Sequence, residues 1–378
     1  MFLRSLAYSE FKGKRNEWRI EGFDISNINL IVGKNAVGKT RTLSAIFGLA
    51  SILSGRAKLI FQSGEYYTTF DLDGRTIKYI LKFNDTKVFY EEFIENGNQL
   101  LIRKKGGKGK IFAKAEKKYI HFQSPENQLA VVSRRDSIQH SFLQPLYDWA
   151  IRTRKYSFGG QFGKKLFVNI DDKLIENIND YDDNQTVGIF IKGMDQYKKA
   201  FEKAIIKDMI SIGYNLVQIG VTSPEGMIPK LPRNLVCIAV KEKEIYGPIN
   251  QLFLSQGMFR ALAVIIHINY LLFSRKPSCI LLDDIGEGLD FDRSCRLIDL
   301  IINKALKTSI QVIMTTNDRF TMNKTPLQYW SIMSRRGGVC KFYNYQNSRK
   351  VFEEFKFTGL NNFDFFATDY IAKIKNIK

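Results

Sequence analysis

The sequence is poor in the residues that build metal centres and covalent staples. Only three histidines occur, His121, His140 and His267, too few to favour a zinc site. The four cysteines, Cys237, Cys279, Cys295 and Cys340, form no C-x-x-C pair, and Cys279 lies inside an apolar run. That usage reads as reduced thiols in a reducing compartment. Long hydrophobic runs are also missing. Met1-Phe2-Leu3-Arg4-Ser5-Leu6 turns polar too soon for a secretory leader. The longest apolar stretch, Ala261 to Phe273, carries His267 and Asn269, is too short to span a bilayer, and reads as a buried helix. The expectation is a cytoplasmic chain with no membrane partner. No internal repeat and no long heptad run is visible.

What is present is a core and an excess of positive charge. Hydrophobic residues make up 44% of the 378, enough to exclude a disordered composition. Lysine and arginine number 57 against 38 acids, a formal net charge of +19. Such a balance suits polyanionic partners, whether DNA, other nucleic acid, nucleotides or an acidic protein. A lysine-rich surface drawn from an AT-rich coding sequence gives the same excess, so charge alone speaks to association rather than function.

Strand and helix patterns alternate. Phe2 to Tyr8 has partial period-two character, and Ile28 to Val32 is a short apolar strand. The run TRTLSAIFGLASIL after Lys39 places apolar side chains at helical spacing. Between 58 and 121 short strand patterns are broken at Ser63-Gly64, Asp73-Gly74, Asn84-Asp85 and Asn96-Gly97, which predicts antiparallel hairpins. Residues 140–215 look helical and irregular, and 216–246 return to strands. A helix over 255–273, a strand at 279–282, a helix near 293–306 and a strand at 311–315 follow; this alternation predicts parallel βαβ units.

Four segments carry chemistry. Gly33-Lys34-Asn35-Ala36-Val37-Gly38-Lys39-Thr40 matches G-x-x-x-x-G-K-[ST] in full, after a strand and before a helix. Backbone N–H groups of such a loop curl around phosphates, the helix N-terminus adds partial positive charge, Lys39 reaches the outer phosphates, and the Thr40 hydroxyl can ligate Mg²⁺. Arg41, the next residue, is counted with this phosphate-binding segment. Cys279-Ile280-Leu281-Leu282-Asp283-Asp284 is an apolar strand ending in two acids, Asp283 to hold Mg²⁺ and Asp284 to polarise the attacking water. Leu254-Ser255-Gln256-Gly257-Met258-Phe259-Arg260 precedes the apolar helix: Ser255, the Gly257 N–H and the helix start form a second anion site, or an ordinary serine cap. Finally, Gln311 to Asp318 is a strand running into a polar loop.

In this order the four segments resemble ABC-type ATPase heads of the SMC, DNA-repair and OLD families. More narrowly they resemble the compact AAA/ABC ATPases of prokaryotic anti-phage systems, such as the ATPase subunits of Septu and PARIS. The resemblance is specific over about 1–55 and 250–345 and rests on layout alone over 56–250. It implies an α/β fold: an ABC-type P-loop ATPase head, a mixed parallel core sheet with an antiparallel β lobe and a helical insertion, all one domain over 1–378. The nucleotide-binding core would be 1–57 and 250–345, the β lobe 58–125, the helical or insertion lobe 126–249, and the C-terminal segment 346–378. It implies ATP and Mg²⁺, and a homodimer or higher homo-oligomer in which Ser255 and Gly257 of one copy meet the γ-phosphate held by the other. Asn317 stands where the family carries a switch histidine, Asp290 falls in the D-loop region, Phe11-Lys12-Gly13 lies close to the adenine, and Gln139 is the candidate Q-loop glutamine, with Gln123 and Gln128 behind it.

Two departures bear on rate. The second acid is Asp284 where the family has glutamate, and Asn317 cannot share a proton as histidine does. Slow hydrolysis follows, with ATP as a timed clamp. No acidic cluster of TOPRIM type and no H-N-H-like histidine group is present, so the resemblance points to a separate effector, a nuclease or toxin, in anti-phage defence. The alternative is an SMC-like DNA-maintenance or repair ATPase that clamps DNA. The run from Arg103 to Lys110, continued by Lys114, Lys117 and Lys118, is either a hairpin for nucleic acid phosphates or a solvated tip. The neighbouring Phe112, Tyr119 and Phe122 read as core of the sheet.

Overall fold

Ile28–Val32 is buried at all five positions, as a strand covered on both faces must be. In the computed structural model, which describes residues 1–59, 62–158, 168–169, 184–224, 234–276 and 278–371, it is the third strand, β3. It follows an antiparallel pair, β1 (Phe2–Glu10) and β2 (Trp18–Asp24). The glycine loop leads from β3 directly into α1 (Lys39–Leu53). Six strands then run antiparallel: β4 (Ser63–Leu72), β5 (Arg75–Asn84), β6 (Lys87–Glu95), β7 (Asn98–Lys104), β8 (Lys108–Ala113) and β9 (Lys118–Gln123). Asp73-Gly74 and Asn96-Gly97 both take positive φ, the geometry of tight hairpin turns. Ser63-Gly64 is not a turn but lies within β4, where the Phe83 ring covers Gly64 so closely that a Cβ would sit 2.6 Å from it.

After a single helical turn at Ala130–Ser133 come α2 (Gln144–Arg152), β10 (Thr153–Ser157), β11 (Val168–Asn169), α3 (Thr186–Ser211), β12 (Leu216–Thr222), β13 (Leu235–Glu242), β14 (Ile249–Asn250) and α4 (Gln256–Phe273). They continue with β15 (Ser278–Asp283), α5 (Phe291–Leu306), β16 (Ile310–Thr315), α6 (Arg319–Lys324), β17 (Trp330–Arg336), β18 (Val339–Asn344), α7 (Tyr345–Lys356) and α8 (Asn362–Ala367).

One sheet of 14 strands runs β10-β15-β16-β3-β17-β18-β2-β1-β4-β5-β6-β7-β8-β9. From β10 to β17 neighbours are parallel, so β3, β15 and β16 deliver their C-terminal ends, and the loops after them, to one edge of the sheet. Two features differ from the sequence reading. The antiparallel strands are continuous with the core sheet, because β1 pairs with β2 on one side and β4 on the other. And β10, inside the segment expected to be a helical insertion, joins the core beside β15. Its composition, Thr-Arg-Lys-Tyr-Ser, hides it, since an edge strand needs no continuous apolar run.

Side chains alternate across the sheet. Leu281, Ile313 and Ile31 face α1 and α2, whereas Ile280, Leu282, Val312 and Leu30 face α3, α4 and α5. By length and composition α4 could cross a membrane, but most of its residues are buried and it packs on α3 as a core helix.

Candidate nucleotide site

The glycine loop occupies the end of β3, backed by β17. A Cβ on Gly33 would lie 2.9 Å from the Met333 carbonyl oxygen, and one on Gly38 would meet the Met333 side chain at 3.1 Å and the Trp18 ring at 3.2 Å. Gly38 also holds φ 113°, a conformation few other residues adopt. Arg335 donates to the Ala36 carbonyl at 3.2 Å and braces the loop's tip. Arg41 is anchored to Glu10 and lies 4.5 Å over the Trp18 ring. Lys34 reaches outward to Asp369 at 3.0 Å. Beside the tip lies a cavity of about 830 Å³ lined by Lys34, Asn35, Arg335, Tyr343, Phe366 and Asp369 among others.

The ends of three parallel strands converge here. The Thr40 hydroxyl donates to Asp283 Oδ1 at 3.0 Å, joining the first turn of α1 to the tip of β15. Thr315, at the end of β16, donates its hydroxyl to the same oxygen at 2.8 Å and accepts the Asp284 N–H at 2.8 Å. Asn317 donates its amide to Asp284 Oδ1 at 3.0 Å. Lys39 is nearly enclosed, its ammonium donating to the carbonyls of Gly33 at 2.7 Å and Lys34 at 3.3 Å. Burial lowers its pKa, opposed by the charges of Asp284 and Asp283. Asp284 sits at φ 52°, and burial, then Asp283 and Glu287, push its carboxyl above the ordinary aspartate value, with Lys39 opposing. A hydroxyl and a carboxylate oxygen in contact are hard donors of the kind Mg²⁺ takes, so the residues present fit that ion.

The second anion site stands apart from the first within one chain. Ser255 is exposed and caps α4, accepting from the Met258 N–H at 3.2 Å. Among the described residues no hydrogen bond joins Ser255 or Gly257 to the glycine loop. Arg260 instead clasps the loop after β15, donating to the Glu287 carbonyl at 3.2 Å. Asp290 ends that loop and caps α5, accepting from the Arg293 N–H at 3.0 Å.

The structure thus gathers Gly33 to Arg41, Asp283, Asp284 and Asn317 into one cluster and leaves Ser255 exposed outside it, with Gly257 buried against the loop after β15. Gln139 is not part of the cluster. Its side chain accepts from the Ala115 N–H at 3.2 Å and its carbonyl from the Lys114 N–H, which ties it to the β8–β9 turn at the far end of the sheet. Gln123 ends β9, and the Gln128 carbonyl accepts from Arg103, so neither replaces it. Phe11 to Gly13 opens the β1–β2 turn, with Phe11 at φ 53°. Sequence reasoning missed Thr315, Arg335, Met333 and Trp18. Thr315 had a local cue, being the last residue of a strand next to the acid-tipped one; the other three are brought in only by the sheet.

No family model matches the chain, and no curated protein matches it in sequence. Solved structures do. An SMC head bound to the C-terminal winged-helix domain of ScpA is 16% identical, with a TM-score of 0.54 over 91% of this chain and 97% of that one. The SMC head with an extended coiled coil, bound to the C-terminal domain of ScpA derived from Pyrococcus furiosus, is 14% identical, with a TM-score of 0.52 over 94% and 99%. The fold is that of an SMC head, an ABC-type ATPase fold. At these identities the likeness speaks to fold alone.

Proposed function

We propose that the chain is an ATP-binding, slowly hydrolysing ABC-type ATPase that works as a nucleotide-gated dimer and controls a separate effector in anti-phage defence. The observation that carries the ATPase reading is the contact between Thr40 and Asp283, which closes the glycine loop onto the acid-tipped strand with Lys39 and Asp284 beside it. The loop's N–H groups and Lys39 bind the triphosphate. Thr40 and Asp283 would hold Mg²⁺, which when bound would neutralise phosphate charge. Asp284, oriented by Asn317 and the Thr315 hydroxyl, takes a proton from the attacking water. Its side chain is one methylene shorter than glutamate, and a displacement of about 1 Å costs on the order of 10²-fold in rate. The outward-facing Ser255 end of α4 completes the site of a second copy, so binding and dimer closure are one event.

The defence role and the effector rest on the motif resemblance. A second reading is an SMC-like DNA-maintenance or repair ATPase that clamps DNA, which the excess of positive charge suits. Nucleotide binding and solution mass with and without ATP test the core claim. Lys39→Ala loses ATP binding, whereas Asp284→Ala binds ATP and stays dimeric. Equal ATP affinity in wild type and Lys39→Ala removes the loop from the mechanism.

A further inference from the structure

The antiparallel half of the sheet has a second face that the nucleotide site does not use. Its inner face is core: Tyr79, Leu81, Phe93, Leu101 and Ile111 are fully buried. The outer face can be traced by register, since residues directly paired across strands share a face. Lys82 pairs with Tyr90 and Tyr90 with Lys104. Two residues along, Ile102 pairs with Lys110 and Lys110 with His121. Phe112 pairs with Tyr119 in the next row, and Tyr67, paired with Ile80, extends the face onto β4.

Aromatic rings and ammonium groups are interleaved on this face. The Lys82 ammonium lies 5.1 Å from the Tyr67 ring centre and 5.3 Å from that of Tyr90, and Lys110 lies 5.2 Å from that of Tyr119. Tyr119, read from sequence as core, is 46% exposed, and Tyr67 is 38% exposed; Phe112 is half-buried and packs edge-on to Tyr119 at 5.3 Å, while Phe122 alone of that trio is buried. Lys78, Lys104 and Lys108 add charge to the same face. The acids there are largely taken up: Glu65 pairs with Lys12, Asp71 with Arg4, and Glu92 is buried beneath the Tyr90 hydroxyl and Gln99.

We propose that this face binds single-stranded nucleic acid, with bases stacked on Tyr67, Tyr90 and Tyr119 and phosphates held by Lys82, Lys104 and Lys110. Flat rings on an open sheet stack unpaired bases, and lysines between them follow the backbone. The chain's charge of +19 steers a polyanion toward it. Each lysine now resting on a ring moves to a phosphate as a base takes the ring. The surface lies on strands outside the glycine-loop cluster, so the inference stands apart from the ATPase reading.

The test is fluorescence anisotropy of the full chain without nucleotide, using labelled 20-residue oligo-dT, oligo-rU and a mixed-sequence DNA duplex at two salt concentrations. Either single strand, or both, binds more tightly than the duplex, the dT and rU arms telling DNA from RNA. Tyr67→Ala/Tyr119→Ala weakens binding by about tenfold or more, while Tyr67→Phe/Tyr119→Phe keeps it, which separates stacking from misfolding. Lys82→Ala/Lys110→Ala flattens the salt dependence by about 0.7 in log–log slope per lost contact. Lys114→Ala/Lys117→Ala, in the β8–β9 turn off this face, leaves affinity unchanged. Duplex binding equal to single-strand binding, or equal losses from the turn pair and the face pair, overturns the proposal.

Discussion

Gly257 and Gly288 touch: a Cβ on Gly257 would stand 2.2 Å from the Gly288 carbonyl oxygen. Gly288 itself holds φ 83° beneath the Arg260 guanidinium, which donates to the carbonyl next door, that of Glu287. The first turn of α4 and the loop after β15 are therefore one mechanical unit. The Glu287 N–H donates to the Asp284 carbonyl at 3.2 Å, which joins that unit to the second acid.

Gly257→Ala tests that coupling. The added methyl cannot fit without pushing back the 287–288 backbone, at a cost of about 1–3 kcal/mol, yet the glycine loop and Lys39 are not touched. The variant is expected to melt a few degrees lower, bind ATP as the wild type does, and fail to dimerise with ATP. Thermal melts and light scattering with and without nucleotide check both halves; normal ATP-driven association would show that the contact is slack.

Thr315 is the hinge between the two acids. Its hydroxyl accepts the Asp284 N–H and donates to Asp283, and it is fully buried. Thr315→Val keeps the shape and removes both bonds, leaving the Asp284 N–H unpaired at a cost of about 1–3 kcal/mol. Because Lys39 and the loop are intact, ATP affinity is expected to change less than threefold while turnover falls at least tenfold. Steady-state ATPase kinetics beside nucleotide titration separates the two.

The motifs were legible because each is a local string whose geometry is set by the backbone nearby. Val32, Gly38 and Thr40 announce strand, loop and helix in order, and Ile280 to Asp284 announces a buried strand with an acidic end. Tertiary arrangements were not legible. Thr153–Ser157 is too polar to read as a core strand, and only pairing with β15 makes it one. Gln139 reads as available for the phosphate site, but its side-chain and backbone carbonyl oxygens both accept from the β8–β9 turn. Arg103 opened what reads as a surface basic run, yet the strand's alternation turns it inward to complete burial while Lys104 points out.

His267 gives a pH signature. It is buried in α4 beside Tyr156 and Thr186, and burial, followed by repulsion from Arg154, depresses its pKa from 6.5 to about 3. The folded chain keeps it neutral while the unfolded chain protonates it near 6.5, so its contribution is present above pH 6.5 and is lost as pH falls toward 3. The loss is on the order of a few kcal/mol across that window. Melting temperatures of wild type should fall faster between pH 6.5 and 4 than those of His267→Gln; parallel curves would show that the acid limb belongs to other groups.

The inward turn of Arg103 sets up a buried pair in which removing one partner alone is disproportionately costly. Glu91 and Arg103 are both inaccessible, 3.5 Å apart. Glu91 also accepts from the N–H groups of Ala130 and Val131 at 2.7 and 3.0 Å and from the Tyr79 hydroxyl, and Arg103 donates to the carbonyls of Pro125 and Gln128. The pair thus clamps the segment after β9 onto β6 and β7. Removing one charge strands the other without water, which costs about 3–5 kcal/mol. Glu91→Ala and Arg103→Ala should each lower the denaturation midpoint strongly, and Glu91→Leu/Arg103→Met should lose much less than the sum of the two. A double-mutant cycle in urea reads this directly. Additive losses would mean that each side chain is held by its backbone partners alone, and that the ion pair contributes nothing to fixing this segment.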